Sequence, residues 1–169
     1  MTTVFQTLLQ IVFNSFMVKI VGKSSSGIQY HYFDLRKVES RAGNFFRCSN
    51  EGINIPLSGL GFIVNTIRDI KREMTKKNFL LRTSKDKSET LKSRKSNDCV
   101  TSHLTIEIHA PSPTLQSKAF IRFIQSYPNT HPNYPRENRS VEIPLVKTWE
   151  NFQRAIKQFV EFQADNSLE

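Results

Sequence analysis

The sequence contains two copies of one pattern, and this repetition constrains the fold more than any other feature. Residues 53–57 read Ile-Asn-Ile-Pro-Leu and residues 141–145 read Val-Glu-Ile-Pro-Leu, and an amphipathic run follows each. Apolar residues recur in both runs at steps of three and four, as on one face of a helix. Upstream lie two short alternating segments, Phe45-Phe46-Arg47 and Phe120-Ile121-Arg122. Self-similarity of this kind predicts two similar supersecondary units.

We therefore predict an α+β fold with two tandem β-β-β-β-α repeats, in which each antiparallel sheet carries one helix on one face. The predicted strands of the first repeat are 16–23, 28–37, 44–49 and 53–57, with a turn at 50–52 and a helix from an N-cap at Ser58 to about residue 77. Those of the second are 103–110, 116–127 and 140–145, with 79–82 as a candidate first strand and an irregular loop at 128–138. The predicted domain boundaries are an N-terminal extension (1–15), the first repeat (16–77), a basic linker (78–100), the second repeat (101–163) and a tail (164–169).

The N-terminal segment is apolar but does not have the pattern of a membrane span. Residues 4–21 include Gln6, Gln10, Asn14 and Lys19, and the run is short for a bilayer. We expect residues 4–13 to form a helix or a loosely docked extension, and we expect no membrane partner.

The charge of the chain favours a polyanionic partner. The formal net charge is +9, and 13 of the 169 residues are Phe. Aromatic rings interleaved with basic residues suit base stacking combined with phosphate neutralisation. A basic protein with no such role is the alternative. The basic segment 78–100 is equally open, because it could embrace a phosphate backbone or simply join the repeats.

The sequence offers little support for catalysis or metal binding. The four His and two Cys (Cys48 and Cys99) show no metal-ligand spacing, and no nucleophile elbow or phosphate-binding loop is present. We predict no metal, no cofactor and no enzymatic activity. A reducing nuclear or cytoplasmic compartment fits two isolated cysteines.

The open face of each sheet carries the candidate binding residues. In the first repeat these are aromatic and basic side chains that alternate with the core positions: Tyr30, Tyr32, Arg36, Arg41, Phe45 and Arg47. Tyr30 and Tyr32 could equally be core if the sheets pack on each other. In the second repeat the matching residues are Lys118, Phe120 and Arg122, beside Glu107, which would repel phosphate. The last helix has an aromatic stripe, Trp149, Phe152 and Phe159, which is either core or a dimerisation surface.

These residues together resemble the purine-rich element binding (Pur) family. The first repeat, with Tyr32-Phe33-Asp34-Leu35, Gly43-Asn44-Phe45-Phe46-Arg47 and the run from Ile55 to Leu60, is similar to the second repeat of that family. The second, with Asn133-Tyr134, Arg136, Asn138, Ser140 to Pro144 and Trp149 to Phe152, is similar to the family's third repeat. No copy resembles the family's first repeat, and Asn44 replaces the arginine that follows the family's glycine.

The resemblance implies that the two repeats intertwine into one domain that binds purine-rich single-stranded DNA and RNA and destabilises paired strands. It implies that Phe45 stacks between bases, that Arg36 and Arg41 contact bases and phosphates, and that the second repeat mainly mediates dimerisation. The expected partners are single-stranded nucleic acid and a second copy or another Pur protein. The alternative is a scaffold that keeps the fold and has lost the ligand.

Overall fold

Two antiparallel sheets and two helices form the described part of the chain. The computed structural model describes residues 3–43, 45–74, 85–95, 98–109, 119–127, 133, 137–145 and 147–168, with 73–74, 85–95 and 98–101 by backbone alone. The first unit (residues 4–74) has strands β1 (Val4–Phe13), β2 (Phe16–Ser25), β3 (Ile28–Ala42) and β4 (Phe45–Pro56), a 3-10 turn at Leu57–Gly59 and helix α1 (Leu60–Met74). The second unit (residues 85–165) has β5 (Lys85–Lys95), β6 (Asp98–His109), β7 (Phe120–Ser126), β8 (Arg139–Pro144) and α2 (Lys147–Asp165).

Each sheet is a meander in which neighbours in sequence are neighbours in space. The strand orders are β1-β2-β3-β4 and β5-β6-β7-β8, and all the pairings are antiparallel. The α+β class, with two antiparallel sheets and two helices, is therefore confirmed. The candidate strand at 79–82, the end of the first helix beyond residue 74, Lys118 and most of the loop 128–138 lie outside the described residues.

The prediction for the N-terminal segment is wrong, because residues 4–13 form the edge strand β1. Leu9, Ile11 and Phe13 of β1 are each paired with a buried apolar residue of β2, namely Ile20, Val18 and Phe16. A β-bulge between Thr7 and Leu9 inserts Leu8 and interrupts the alternation of apolar and polar residues. The bulge therefore hides the period of two that identifies a strand in sequence.

Two further sequence predictions differ from the structure. The turn predicted at 50–52 does not interrupt β4, which runs from Phe45 to Pro56 and is irregular where it pairs with Val38. The predicted basic linker contains β5 and the first residues of β6. β5 is an edge strand, and lysine is common on edge strands because it opposes pairing with other chains. Basic composition there indicated a linker, but it is equally compatible with an edge strand.

A single hydrophobic core joins the two units, and α2 lies at its centre. Phe159 meets Phe33 of the first sheet edge to face, with ring centroids 5.8 Å apart. Phe152 contacts Phe13 of β1 at 6.1 Å and Phe123 of β7 at 5.4 Å. The helix of the second unit therefore packs on both sheets.

The aromatic stripe of α2 is core and not a surface for a second copy. Trp149, Phe152 and Phe159 are at most 1% exposed. Each buried ring of this size removes about 150–250 Å² from water, so these residues stabilise the fold strongly. The dimerisation hypothesis for these three residues is therefore wrong.

Candidate nucleic-acid interface

The outer part of the β3–β4 hairpin, residues 38–49, forms an arm with an exposed aromatic side chain at its tip. Only residues 43 and 44 separate the two strands there, and Gly43 has φ of +59°, which glycine adopts without strain. Ala42 is paired with Phe45, the first residue of β4. The Phe45 side chain is 75% exposed, more than any other large apolar side chain in the described part of the chain. We call residues 38–49 the hairpin arm.

Two arginines flank Phe45 on opposite faces of the hairpin arm. Arg47 is two residues from Phe45 and so shares its face, whereas Arg41 is paired with Phe46 on the other face. The Arg41 guanidinium lies 5.1 Å from the centre of the Phe46 ring, and its Nε donates to the Gly43 carbonyl at 3.2 Å. Arg47 Nε lies 3.5 Å from Glu39 Oε2, and both side chains are more than half exposed. An exposed ion pair of this kind contributes little stability, so Arg47 can exchange Glu39 for a phosphate.

Arg36, also predicted to bind nucleic acid, is held inside the sheet by Asp34. Its Nε and Nη2 donate to the two carboxylate oxygens at 2.9 and 3.1 Å, and its side chain is only 20% exposed. These hydrogen bonds raise the pKa of the Arg36 guanidinium above its ordinary value despite the opposing effect of burial. Asn54 Nδ2 donates to the same carboxylate at 2.9 Å. Asp34 therefore links Arg36 of its own strand to Asn54 of β4, and the structure does not offer the charge of Arg36 to a phosphate.

The two tyrosines of β3 have different surroundings. Tyr32 is buried, at 8% exposure, and lines a cleft between the two units, so it does not lie on an open sheet face. Tyr30 is half-buried and is paired with Lys23 of β2. Of the two, only Tyr30 remains a candidate for surface stacking.

In the second unit, Phe120 and Arg122 are occupied by neighbours of the same sheet. The Phe120 ring stacks on His109 with centroids 4.5 Å apart, and the Arg122 guanidinium lies 5.2 Å from the Phe120 ring. Arg122 also donates to Glu142 Oε1 at 2.6 Å and lies 3.7 Å from Glu107. Two carboxylates thus neutralise this arginine, and this face has little attraction for a polyanion.

The registers show that Phe120 corresponds to Tyr32 and not to Phe45. Phe120 is paired with Pro144 in the last strand of its sheet, and Tyr32 is paired with Pro56 in the last strand of the other. Both are therefore third-strand residues, whereas Phe45 begins a fourth strand. The sequence alignment of Phe45-Phe46-Arg47 with Phe120-Ile121-Arg122 is wrong, although the two Ile-Pro segments are equivalent.

A second aromatic and basic cluster escaped the sequence analysis because β1 was not predicted. Phe5 is 66% exposed, and the Lys23 ammonium lies 5.6 Å from the centre of its ring. The pairings place Phe5, Lys23 and Tyr30 in one row across β1, β2 and β3. If residues 4–13 had been recognised as a strand with one bulge, the alternation of its side chains would have indicated that Phe5 lies beside β2.

The described residues provide binding groups but no metal centre. Among them, no three His, Cys, Asp or Glu side chains come close enough to hold a metal ion. No described helix is both long and apolar enough to cross a membrane. Comparison with protein-family models, with curated proteins and with solved structures finds no match to this chain.

Proposed function

We propose that this chain binds purine-rich single-stranded DNA or RNA and disfavours re-pairing of the strands, as a regulator of transcription or of RNA in the nucleus and cytoplasm. The observation that carries the proposal is Phe45, three-quarters exposed at the tip of a hairpin and flanked by Arg41 and Arg47. A single exposed apolar side chain is common on protein surfaces. Phe45 differs in that it lies at a hairpin tip between two arginines, a combination that suits base stacking with phosphate contacts. The Pur resemblance and the charge of +9 favour a nucleobase as the partner of this ring.

The physical roles of the arm residues follow from their exposure. The Phe45 ring supplies a stacking platform, worth about 1–3 kcal/mol per base, and all four bases have a face that can stack. Arg41 and Arg47 supply phosphate contacts, which make binding depend on salt. The proposed role needs no bond-making step, so we propose no enzymatic activity.

The first experiment compares binding to a labelled single-stranded GGN-repeat DNA, to its pyrimidine complement and to the duplex at two salt concentrations. A preference for the purine strand over both others supports the proposal. Equal and strongly salt-dependent binding to all three would leave only a basic surface. Absence of binding at low salt would contradict the proposal.

Substitutions on the hairpin arm separate stacking from charge. Phe45→Ala should reduce strand separation about tenfold or more and leave the salt slope unchanged, because it removes a stacking ring and no charge. Arg47→Gln should lower the slope by about one for all sequences. Ile28→Ala is the matched control, since Ile28 is 51% exposed at the other end of β3. A loss of slope in Phe45→Ala, or an equal loss of strand separation in Ile28→Ala, would contradict these roles.

A scaffold or dimerisation module is the second candidate, and one observation favours it. Val4 and Phe5 are 56% and 66% exposed at the beginning of β1, which is an edge strand of the first sheet. An edge with exposed apolar residues can pair with a second copy. A concentration-dependent increase in mass that Phe5→Ala abolishes, with no retention on single-stranded DNA, would favour this function over nucleic-acid binding.

A further inference from the structure

The two units enclose a cleft of about 870 Å³ on the side of the hairpin arm. Tyr32 and Asn50 of the first unit and Tyr127 and Arg139 of the second are among the residues that line it. Gln125 holds the two sides together, because it accepts from the Asn54 backbone N–H at 3.0 Å and donates to the Asn54 carbonyl at 2.7 Å. The volume lies in the range of small-ligand sites, which is about 300–1,000 Å³.

The charges of the cleft are unlike those of the whole protein. Three carboxylates line it, from Glu39, Glu51 and Glu137, against the two guanidinium groups of Arg36 and Arg139. Asp34 already neutralises Arg36. Lys37 and Arg47 pair with Glu51 and Glu39 in the same way, so on a chain of net charge +9 the cleft is close to balanced in charge and has little attraction for a phosphate group.

Such a lining suits the hydrogen-bonding edge of a base better than its phosphate. A carboxylate only accepts hydrogen bonds, and its two oxygens can accept from two neighbouring N–H groups at once. Guanine alone among the common bases has two adjacent donors on its pairing edge, the ring N1–H and the 2-amino group. Cytosine and adenine have a single amino group there. Glu39 and Glu51 lie 3.5 and 3.8 Å from Arg47 and Lys37, in exposed ion pairs that are weak enough to be exchanged.

The cleft and Phe45 are two parts of one surface. Ser49 lines the cleft and lies four positions after Phe45 in β4. At about 3.3 Å per residue this is about 13 Å, a span of a few nucleotides. A strand with one base on Phe45 therefore reaches the cleft with a base a few nucleotides away.

We propose that the cleft between the units binds one unstacked guanine, with its N1–H and 2-amino groups facing the carboxylates of Glu39, Glu51 and Glu137. The inference rests on the proposed single-strand binding and explains a preference for purine-rich strands. The phosphates of the same strand lie on the basic arm, outside the cleft. The carboxylates that line the cleft read sequence, whereas Arg41, Phe45 and Arg47 contribute affinity without reading it.

The test uses the full chain and three single strands, a GGT repeat, the same repeat with inosine for guanine, and the same repeat with 7-deazaguanine. Inosine lacks the 2-amino group, whereas 7-deazaguanine keeps both donors of the pairing edge. Wild type should bind the inosine strand about tenfold more weakly than the guanine strand, as expected for loss of a charge-assisted hydrogen bond. The 7-deazaguanine strand should bind within about twofold of the guanine strand.

Removing the carboxylates distinguishes base recognition from electrostatics. The triple variant E39Q/E51Q/E137Q raises the net charge by three, so its binding to the inosine strand should strengthen. The guanine strand gains from the same charge but loses its carboxylate contacts, so the guanine-to-inosine ratio should fall to about one. All three side chains are exposed, so the fold should be retained. The charge-matched control E150Q/E161Q/D165N alters three exposed positions of α2 and should strengthen binding while keeping the ratio near ten.

Each remaining outcome overturns the proposal. Equal binding of guanine and inosine strands by wild type, or a ratio near ten in E39Q/E51Q/E137Q, means that the cleft does not read guanine. A loss with 7-deazaguanine and none with inosine means that another edge of the base is read elsewhere. Wild type that binds no single strand at low salt contradicts the single-strand function itself, and base-independent binding contradicts only the role of the cleft.

Discussion

Replacement of Gln125 by leucine should weaken the junction of the two units by a predictable amount. Gln125 is 3% exposed, and its side-chain amide satisfies both backbone groups of Asn54, with hydrogen bonds of 3.0 and 2.7 Å. Leucine has a similar size but can neither donate nor accept. Each hydrogen bond of this kind contributes about 1 kcal/mol, and an unsatisfied buried group costs more. We therefore expect Gln125→Leu to lower the free energy of unfolding by at least about 2 kcal/mol.

Thermal and urea unfolding would measure this loss. For a chain of this length, 2 kcal/mol corresponds to a decrease in Tm of about 4–8 °C. Because both units contribute to one core, the transition should remain single in wild type and variant. Gln158→Leu is the control, since Gln158 is exposed on α2 and the same change there should shift Tm by less than 1 °C. A shift of less than 1 °C in Gln125→Leu would refute the reasoning that this amide holds the units together.

Two further substitutions test the first sheet. Gly52→Ala should lower the free energy of unfolding in urea by about 1–3 kcal/mol, because a Cβ at Gly52 would lie 2.6 Å from the Leu35 carbonyl oxygen. The control is Gly61→Ala, which should be neutral or slightly stabilising because nothing lies within 4 Å of its added Cβ. Phe5→Ala should weaken binding of strands of about 20 nucleotides severalfold in a titration but leave binding of strands of about five nucleotides unchanged. Phe5 lies in the row of Tyr30 and Phe45 is paired with Ala42, and these two β3 residues are 12 positions, or about 40 Å, apart. Five stacked nucleotides span only about 17 Å, so they cannot reach both rings. Equal stability of the two glycine variants, or an equal effect of Phe5→Ala on both strand lengths, would contradict these expectations.

The repeated pattern predicted the architecture because each helix start and each preceding Ile-Pro strand has local signals. Pro56 and Pro144 end their strands at equivalent register positions, and an amphipathic helix follows each. The missed features depend on partners distant in sequence. β1 contains a bulge that breaks its alternation. Gly52 was interpreted as a turn residue, whereas it lies within a strand where β3 approaches too closely for a side chain.

The candidate site was predictable only in part, because residue type does not reveal which partners a side chain finds across a sheet. Phe45 was correctly expected to be exposed, since it lies next to a turn. Tyr32 has the same kind of ring but is buried beside the second unit. The cleft could not be predicted, because its two walls come from segments far apart in sequence, such as Asn54 and Gln125, which are 71 residues apart.

Position along a strand, and not residue type, decides which arginine can bind a ligand in this fold. In the interior of a sheet, every arginine has cross-strand or same-face neighbours close enough to supply a carboxylate, as Asp34 does for Arg36 and Glu142 does for Arg122. At the hairpin tip the neighbours are fewer and solvent is close, so Arg41 turns to a backbone carbonyl and an aromatic ring, and Arg47 to an exposed glutamate. These weaker contacts leave most of the attraction of each charge for a polyanion. The aromatic side chains follow the same rule, since Phe159 and Phe33 pack face to edge in the core while Phe45 is three-quarters exposed at the hairpin tip. We therefore expect replacement of Arg41 or Arg47 by glutamine, which removes the positive charge, to weaken binding to every strand. The same replacement at Arg36 or Arg122 should act mainly through the stability of the sheets.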